Sequence, residues 1–460
     1  MTAASDSGAS LAVRQARRAA AAARRVSPWP AIFIMSLALP FIIQAGPIRL
    51  SPYRIVLLLI ILPALFMWIA GKAGKIRSFD IYMLLFVVWS DVSIFATAGF
   101  DQGVETAGIW TIETLGAYLL GRTMIRDQAS FTLAVKCFML IVMIMLPLAA
   151  AEAVLKHPIA LELLGKIYTV FEASEKEFRL GMRRAQGTFE HPILFGVFCS
   201  AAFGLAYYGY GVRQSRMGRG LRTFAAIATT FFSLSTGAYV SLAMQGAIIG
   251  WDIVTRKLRN RWGILGGLFA SAYILIDAIS NRTPAEVFIS YMTFNTGNSY
   301  NRVLIWKYGT AQIANTPWIG IGTTGDWARA EWMSSSMDNF WLVLAVRHGL
   351  PAFLLFTAAF LAITWRLGRY PIADSKANAV RKGLLTSIIG MAVAICTVHL
   401  WNASYVFFIF LLASGVWMFD PPQAPQPRRA RPGDPDFESS AGTPSVTQPG
   451  NGRRKRTSPA

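Results

Sequence analysis

Charged residues are scarce in this chain, as are cysteine and histidine. Only 15% of its 460 residues are Asp, Glu, Lys or Arg, 54% are hydrophobic, and the mean hydropathy is +0.43. An average soluble domain carries about 25% charged residues. The composition therefore excludes an ordinary soluble protein and indicates a polytopic membrane protein.

The cysteines and histidines limit the available chemistry. Each cysteine lies inside an apolar stretch, which argues against a disulfide framework or a cysteine metal site. The histidines lack metal-binding spacing such as H-E-x-x-H, so we expect neither a metal nor another cofactor. These residues are Cys137, Cys199, Cys396, His157, His191, His348 and His399.

Acidic residues are also few, with 24 Asp and Glu against 44 Lys and Arg, and the formal net charge is +20. In a soluble protein this excess would suggest a nucleic-acid partner. Here most basic residues lie in short loops between apolar segments and in the two tails. We interpret these basic residues as determinants of membrane topology, and we expect no nucleic-acid partner.

Twelve apolar stretches predict an all-α polytopic membrane protein with about 12 transmembrane helices. Most approach the roughly 20 residues that a helix needs to cross the hydrocarbon core. The seventh and eighth should meet at a tight turn in Ser235-Thr-Gly-Ala238. The stretches are 29–45, 52–70, 79–98, 104–121, 131–155, 189–210, 221–236, 238–254, 263–279, 339–364, 383–400 and 403–419.

The distribution of basic residues predicts the orientation. Alternate short loops carry two to five Lys or Arg, whereas the intervening short turns contain only Arg49 and Arg54. The basic loops are therefore expected to face the cytoplasm, with both termini. The long loops 156–188 and 280–337 then face outward, and the second separates the ninth and tenth spans.

The domain 29–420 is flanked by two basic tails that we expect to be cytoplasmic. Residues 1–28 are rich in Ala, Arg and Ser, without a convincing cleavage site. Residues 421–460 are rich in proline and end in Arg453-Arg-Lys-Arg456. This tail cannot form a core and is predicted to be disordered; its basic cluster either contacts anionic inner-leaflet lipid or is solvated.

The first long loop ends in an arginine pair, Arg183 and Arg184, shortly before His191 and Pro192. Pro192 suits the first turn of a helix, and arginines beside a helix N-terminus suit a bound phosphate. The alternative is that both arginines contact lipid headgroups at the interface. A histidine before proline, such as His191, is more often a structural turn residue than a base.

The second long loop is aromatic, glycine-rich and thinly charged, and we hypothesise that it is the lid of an active site. Arg302 and Trp306 are four residues apart and share a face if that segment is helical. The alternative is an amphipathic helix on the membrane surface, with tryptophans as interface anchors.

The chain re-enters apolar surroundings at Asp338 and Asn339, followed by Arg347. If a single helix crossed the bilayer from Asp338, Arg347 would lie about 13 Å deep and would be a functional candidate. Gly349 favours a different interpretation, a shallow helix over 338–348 before the crossing, which leaves Arg347 at the interface.

Four motifs in this order resemble those of the O-antigen ligase and polymerase superfamily. The resemblance covers roughly 180–355, together with the predicted layout of spans and loops. The motifs are Arg184-x-x-Gly-Thr-Phe-x-His191-Pro192, the Ser235-Thr-Gly turn, Asn301-Arg302-x-x-x-Trp306 with Pro317-x-x-Gly320-x-Gly322, and Asp338-Asn339-x-x-Leu342 before Gly349-Leu350.

Members of that superfamily act on undecaprenyl-diphosphate-linked glycans at the periplasmic face of the bacterial inner membrane. The resemblance implies a metal-independent glycosyl transfer, with Arg184 and Arg302 on the diphosphate and Asp338 as a catalytic residue. It also implies membrane lipids, a flippase and a chain-length regulator as partners. The remaining candidates, for substrate binding, are Arg183, His191, Trp306, Asn339 and Arg347.

Asp338 stands where the ligases carry histidine. Its carboxylate could be a base or could cap the helix that follows. Exopolysaccharide polymerases resemble the chain better, so we predict polymerisation of lipid-linked repeat units into exopolysaccharide or O-antigen. The alternatives are an O-antigen ligase and a transporter or flippase, which would need more intramembrane charges than the apolar segments contain.

Overall fold

The computed structural model describes residues 26–46, 48–174, 177–209, 215–291, 296–372 and 374–419, which are mostly helical. The predicted tails 1–28 and 421–460 lie outside these ranges, except for 26–28. The helices are α1 Trp29–Leu37, α2 Pro52–Ile69, α3 Ser78–Thr111, α4 Ala117–Met124, α5 Gln128–Leu155, α6 Ile159–Gly165, α7 Pro192–Ser200, α8 Ala202–Gly204, α9 Arg216–Phe232, α10 Thr236–Val254, α11 Arg261–Ile279, α12 Pro284–Tyr291, α13 Thr296–Asn315, α14 Phe340–Arg369, α15 Ser375–Ala394 and α16 Asn402–Ala413. Short elements are the π-helices Ile112–Gly116 and Leu205–Gly209, the 3-10 helix Val416–Phe419, and the strands β1 Ile43–Ala45, β2 Ile48–Leu50, β3 Phe178–Arg179 and β4 Met182–Arg183.

Within the described residues, eight helical stretches are long and apolar enough to cross a membrane. This agrees with an all-α membrane protein, although length and composition alone do not yield the twelve predicted spans. The stretches are Pro52–Ile69, Ser78–Met124, Gln128–Leu155, Pro192–Gly209, Thr236–Val254, Arg261–Ile279, Phe340–Arg369 and Asn402–Phe419.

The apolar stretch 29–45, predicted as one membrane-spanning helix, is not a single helix. Helix α1 ends at Leu37, and the antiparallel β1–β2 hairpin follows. Pro40 explains this break, because proline lacks the N–H that a helix needs and disfavours helical backbone in the residue before it.

The long helix α3 reverses direction at Gly99, whose φ is +72°. Asp80 and Arg122 are separated by 42 positions, about 60 Å along a straight helix, yet the Arg122 Nε lies 3.0 Å from the Asp80 Oδ1. Nearer to the reversal, the Thr111 hydroxyl donates to the Asp91 carboxylate at 2.7 Å. The chain therefore forms an antiparallel helical hairpin, as the separate stretches 79–98 and 104–121 predicted.

Helix α14 also reverses, at Gly349, whose φ is +80°. Phe340 and Phe356 would be about 24 Å apart along a straight helix, but their ring centroids are 5.7 Å apart. A separate helix before Gly349 is therefore confirmed, although it begins at Phe340 and not at 338. This short helix packs back against the first turns of the long helix that follows it.

The second long loop is fastened to this reversal by backbone hydrogen bonds. The Leu350 N–H donates to the Pro317 carbonyl at 2.7 Å, and the Ile321 N–H donates to the Val346 carbonyl at 2.9 Å. Residues 317–322, which belong to the glycine motif, thus lie directly against the end of the short helix.

Replacing Gly349 with alanine should lower the Tm markedly. A Cβ atom there would overlap the carbonyl oxygen of Trp318, and the positive φ is itself unfavourable for a side chain. Backbone strain of this kind costs about 1–3 kcal/mol, and the overlap adds to it. Thermal unfolding of the purified protein in detergent measures the change.

Gly266→Ala in α11 is the matched control, because nothing lies within 4 Å of the Cβ position there. It should keep or slightly raise the Tm, since alanine suits a helix interior better than glycine. Equal Tm values for the two variants would contradict the steric account of the reversal.

Candidate functional site

A cavity of about 350 Å³ lies between the two long loops, the beginnings of α7 and α10, and the segment that joins α15 to α16. Arg184, His191, Arg302 and Asp338 all line it. These residues come from three widely separated parts of the sequence. The fold therefore brings together the three candidate catalytic residues and one candidate substrate-binding residue.

A tight β-hairpin positions Arg184. Leu180 and Gly181 connect β3 to β4 with φ values of +55° and +75°, as a two-residue hairpin turn requires. Just after β4, the guanidinium of Arg184 donates to the carboxylate of Glu177 and, at 3.4 Å, to the Ser233 carbonyl. The side chain is only 3% exposed, so its orientation is set by protein contacts.

Arg179 is a second arginine of this hairpin that sequence analysis did not single out. Its Nη1 donates to the Leu234 carbonyl at 2.9 Å, and its Nη2 lies 3.8 Å from the Glu177 carboxylate. Burial acts to raise the pKa of Glu177, but the hydrogen bond and charge of Arg184, with the charge of Arg179, lower it on balance. Glu177 therefore remains ionised between two guanidinium groups. The hairpin turn was the only local signal that could have suggested this pairing.

Arg302 enters the cavity from α13. Its Nη1 is buried and has no hydrogen-bond partner among the residues that the structure describes. Burial lowers its pKa, the charge of Asp338 acts in the opposite direction, and the charge of Arg179 lowers it further. Because arginine titrates far above pH 7, the group stays cationic. A buried donor without a partner is costly. Arg302 itself lines the cavity, so its guanidinium charge can attract an anion there.

Asp338 immediately precedes α14 and is half-buried. The Ser336 hydroxyl donates to its Oδ1 at 3.0 Å. The N-cap of α14 is Asn339, whose Oδ1 accepts from the Leu342 N–H at 3.1 Å. The alternative that Asp338 caps the helix is therefore wrong, and its carboxylate faces the cavity without that task.

His191 is the N-cap of α7, and its Nδ1 accepts from the Ile193 N–H at 3.2 Å. Burial and the charge of Arg184 lower its pKa, although Glu177 and Asp338 act in the opposite direction. The ring is therefore neutral near pH 7, and its proton is on Nε2 because Nδ1 is an acceptor. In this state His191 is a hydrogen-bond donor and not a base.

Two helix N-termini meet at the cavity. Pro192 occupies the first position of α7, as predicted. The tight turn predicted at 235–238 lies slightly earlier, because α9 ends at Phe232 and Leu234 has a φ of +46°. Ser235, Thr236 and Gly237 then line the cavity as α10 begins. Helix N-termini present free N–H groups and partial positive charge, which favour a bound anion.

Other predicted residues lie outside the cavity lining. Arg183 is buried, with its Nε 3.8 Å from the Glu152 carboxylate. Trp306 packs against a small apolar cluster that the second loop shares with the short helix of α14. Arg347 donates at 3.0 Å to the Gly322 carbonyl, so it ties the short helix to that loop. Asn339 caps α14. These four positions have evident structural tasks.

The cavity also has an aromatic wall that sequence analysis did not identify. Trp401, in the segment between α15 and α16, and Trp332, in the second loop, both line it. The Trp401 Nε1 donates to the Glu190 carboxylate at 3.0 Å. Because these partners are 211 positions apart, no local pattern could have indicated the contact.

No protein-family model matches the chain, and no curated protein is significantly similar to it. The resemblance to the O-antigen ligase and polymerase superfamily therefore stays a prediction that depends on the motif residues themselves. All four motif regions contribute to the cavity lining. The contributing residues are Arg184, Thr236, Arg302 and Asp338.

Proposed function

We propose that this cavity is the active site of a membrane glycosyltransferase. It polymerises undecaprenyl-diphosphate-linked oligosaccharide repeat units into exopolysaccharide or O-antigen at the periplasmic face of the bacterial inner membrane. The observation that carries the proposal is the convergence of Arg184, Arg302 and Asp338 on one cavity. A flippase and a chain-length regulator are proposed partners.

The charged lining supports a diphosphate as part of the substrate. Arg179, Arg184 and Arg302 outnumber the carboxylates of Glu177 and Asp338 among the described lining residues. Guanidinium groups bind phosphate oxygens through paired N–H donors, and the N-termini of α7 and α10 add further positive potential. A leaving diphosphate would gain negative charge in this cavity, where such groups stabilise it most.

The proposed reaction forms a glycosidic bond and breaks the glycosyl–phosphate bond of the donor. The oxygen of an acceptor hydroxyl attacks the anomeric carbon of the donor glycan, and the hydroxyl proton passes to the Asp338 carboxylate. The bond between the anomeric carbon and the diphosphate oxygen breaks, and its electron pair leaves with undecaprenyl diphosphate. Arg184 and Arg302 stabilise that departing charge.

A reconstituted assay tests this function. Purified protein in lipid nanodiscs is supplied with lipid-linked repeat units, with lipid A core present in a parallel reaction. Long glycan still attached to the carrier lipid is the expected product. Transfer to lipid A core without chain extension would indicate the ligase alternative, and the absence of any new glycosidic bond would favour transport.

The proposal includes twelve crossings with both termini in the cytoplasm. The reversal at Gly99 divides Ser78–Met124 into two crossings, and the shorter helices α1, α9 and α15 complete the set. Loops 156–188 and 280–337, and with them the cavity, would face outward.

Cysteine labelling tests this orientation. In a variant without native cysteines, Ser335→Cys should react with a membrane-impermeant maleimide added from outside, whereas Ser375→Cys should react only after permeabilisation. Both serines are exposed, so accessibility within the fold is matched. Labelling of position 375 but not 335 from outside would overturn the topology.

A further inference from the structure

The cavity lining combines charged and aromatic side chains. Besides the guanidinium groups, it includes the aromatic rings of His191 and Trp401. The centroids of these two rings are 6.0 Å apart and their planes are inclined by 53°, so the rings do not stack on each other. They form a corner with an indole on one wall and an imidazole on the other.

An extended polar network fixes the Trp401 ring. Its indole N–H donates to Glu190, and the Asn402 side-chain amide donates to both oxygens of the same carboxylate at 2.7 and 2.6 Å. The Asn402 Oδ1 in turn accepts from Arg54 at 3.0 Å, and Arg54 pairs with Glu113 at 2.7 Å.

This network joins three helical elements and the segment just before α7 to one side chain on the cavity wall. Burying charged groups is expensive unless they are paired and hydrogen-bonded. Asn402 also adopts a φ of +49°, which asparagine tolerates better than most residues. The arrangement sets the plane of the Trp401 indole more firmly than packing alone would.

We propose that Trp401 and His191 form a sugar-binding subsite, in which Trp401 packs on the C–H face of a pyranose and His191 donates from Nε2 to one of its oxygens. Glu190 is a positioning residue that acts through Trp401. This subsite rests on the proposed function and extends it, since it assigns recognition of the sugar to residues other than the arginines that hold the diphosphate.

The chemistry of the corner suits a sugar attached to a diphosphate. An aromatic ring with a fixed plane offers a large apolar surface at low entropic cost. The neutral His191 donor supplies an oriented hydrogen bond without adding charge beside the arginines. Binding sites commonly combine apolar surface with a few such placed polar groups.

Binding at the sugar subsite can be distinguished from binding of the diphosphate by comparing two lipids, undecaprenyl diphosphate and undecaprenyl-diphosphate glucose. We expect the purified protein to bind the glucose-bearing lipid more tightly. Trp401→Leu should weaken binding of that lipid by about 2- to 10-fold, the usual range for an aromatic contact, and leave undecaprenyl diphosphate binding unchanged. Trp365→Leu, at an exposed tryptophan outside the cavity, is the matched control and should change neither affinity.

Several outcomes would overturn the subsite. They are equal affinity of the wild-type protein for both lipids, an equal loss for both lipids in Trp401→Leu, or no loss for either. Sugar-dependent binding without polymerisation in the reconstituted assay would keep the subsite and remove the polymerase. Normal polymerisation without sugar-dependent binding would keep the polymerase and remove the subsite.

The role of Glu190 is tested by a double-mutant cycle on glucose-lipid affinity. Trp401→Phe keeps an aromatic ring but lacks the indole N–H that Glu190 accepts. If Glu190 acts through Trp401, Glu190→Gln should weaken affinity in the wild-type background and change it little in the Trp401→Phe background. Additive losses would show that Glu190 is a general structural residue.

Discussion

Replacing Arg302 with lysine should reduce polymerisation by about 10²-fold or more, the usual cost of losing a donor that stabilises transition-state charge. Lysine keeps the positive charge but loses the planar fork that binds two phosphate oxygens at once. Arg302 lines the cavity, and we expect the diphosphate to bind its guanidinium. Initial rates with lipid-linked repeat units measure the effect.

Arg184→Lys should behave in the same way, with an additional effect on Glu177, which would lose its hydrogen-bonded partner. Arg282→Lys is the matched control, because Arg282 is exposed and does not line the cavity. It should retain the wild-type rate. Normal polymer yield and length in both Arg302→Lys and Arg184→Lys would show that the diphosphate clamp is wrongly assigned.

Replacing Asp338 with asparagine should also nearly abolish turnover, by about 10²- to 10⁴-fold, as expected for loss of a general base. The amide keeps the size of the carboxylate but cannot accept the hydroxyl proton. Because Asn339 is the helix cap, the Tm should remain close to that of the wild-type protein. Asp338→Ser should lose activity in the same way.

Asn339→Ala provides the complementary variant at the neighbouring position. Loss of the cap should destabilise the protein by about 1 kcal/mol, while Asp338 remains to accept the proton. We therefore expect low activity with a normal Tm in Asp338→Asn, and a lowered Tm with substantial activity in Asn339→Ala. Wild-type turnover by well-expressed Asp338→Asn would refute the base assignment.

The sequence predicts the elements better than their relationships. Hydrophobic runs located most helices because burial in lipid or core selects apolar residues over about 20 positions. Gly349 signalled the break in α14 because glycine readily adopts positive φ. The segment 29–45 was predicted as one apolar stretch because its average hydropathy is high. That average does not show the break at Pro40 or the hairpin that follows.

The cavity was predictable only in part. Arg184, Arg302 and Asp338 stand in recognisable motifs, so their positions could be chosen from the sequence. Arg179 and Trp401 could not, because their contacts depend on a hairpin turn and on a partner more than 200 positions away. Arg347 was a substrate-binding candidate expected at the interface, but its guanidinium is engaged by loop carbonyls.

The short helix before Gly349 has a mechanical consequence. It spans about 12 Å, with Asp338 just before one end and the anchored 317–322 segment against the other. Because the helix is rigid, a displacement of that loop would also move the Asp338 carboxylate relative to Arg184 and Arg302. Under the proposed function, a movement of the loop that admits a lipid-linked chain would therefore also change the position of the Asp338 carboxylate relative to the acceptor hydroxyl.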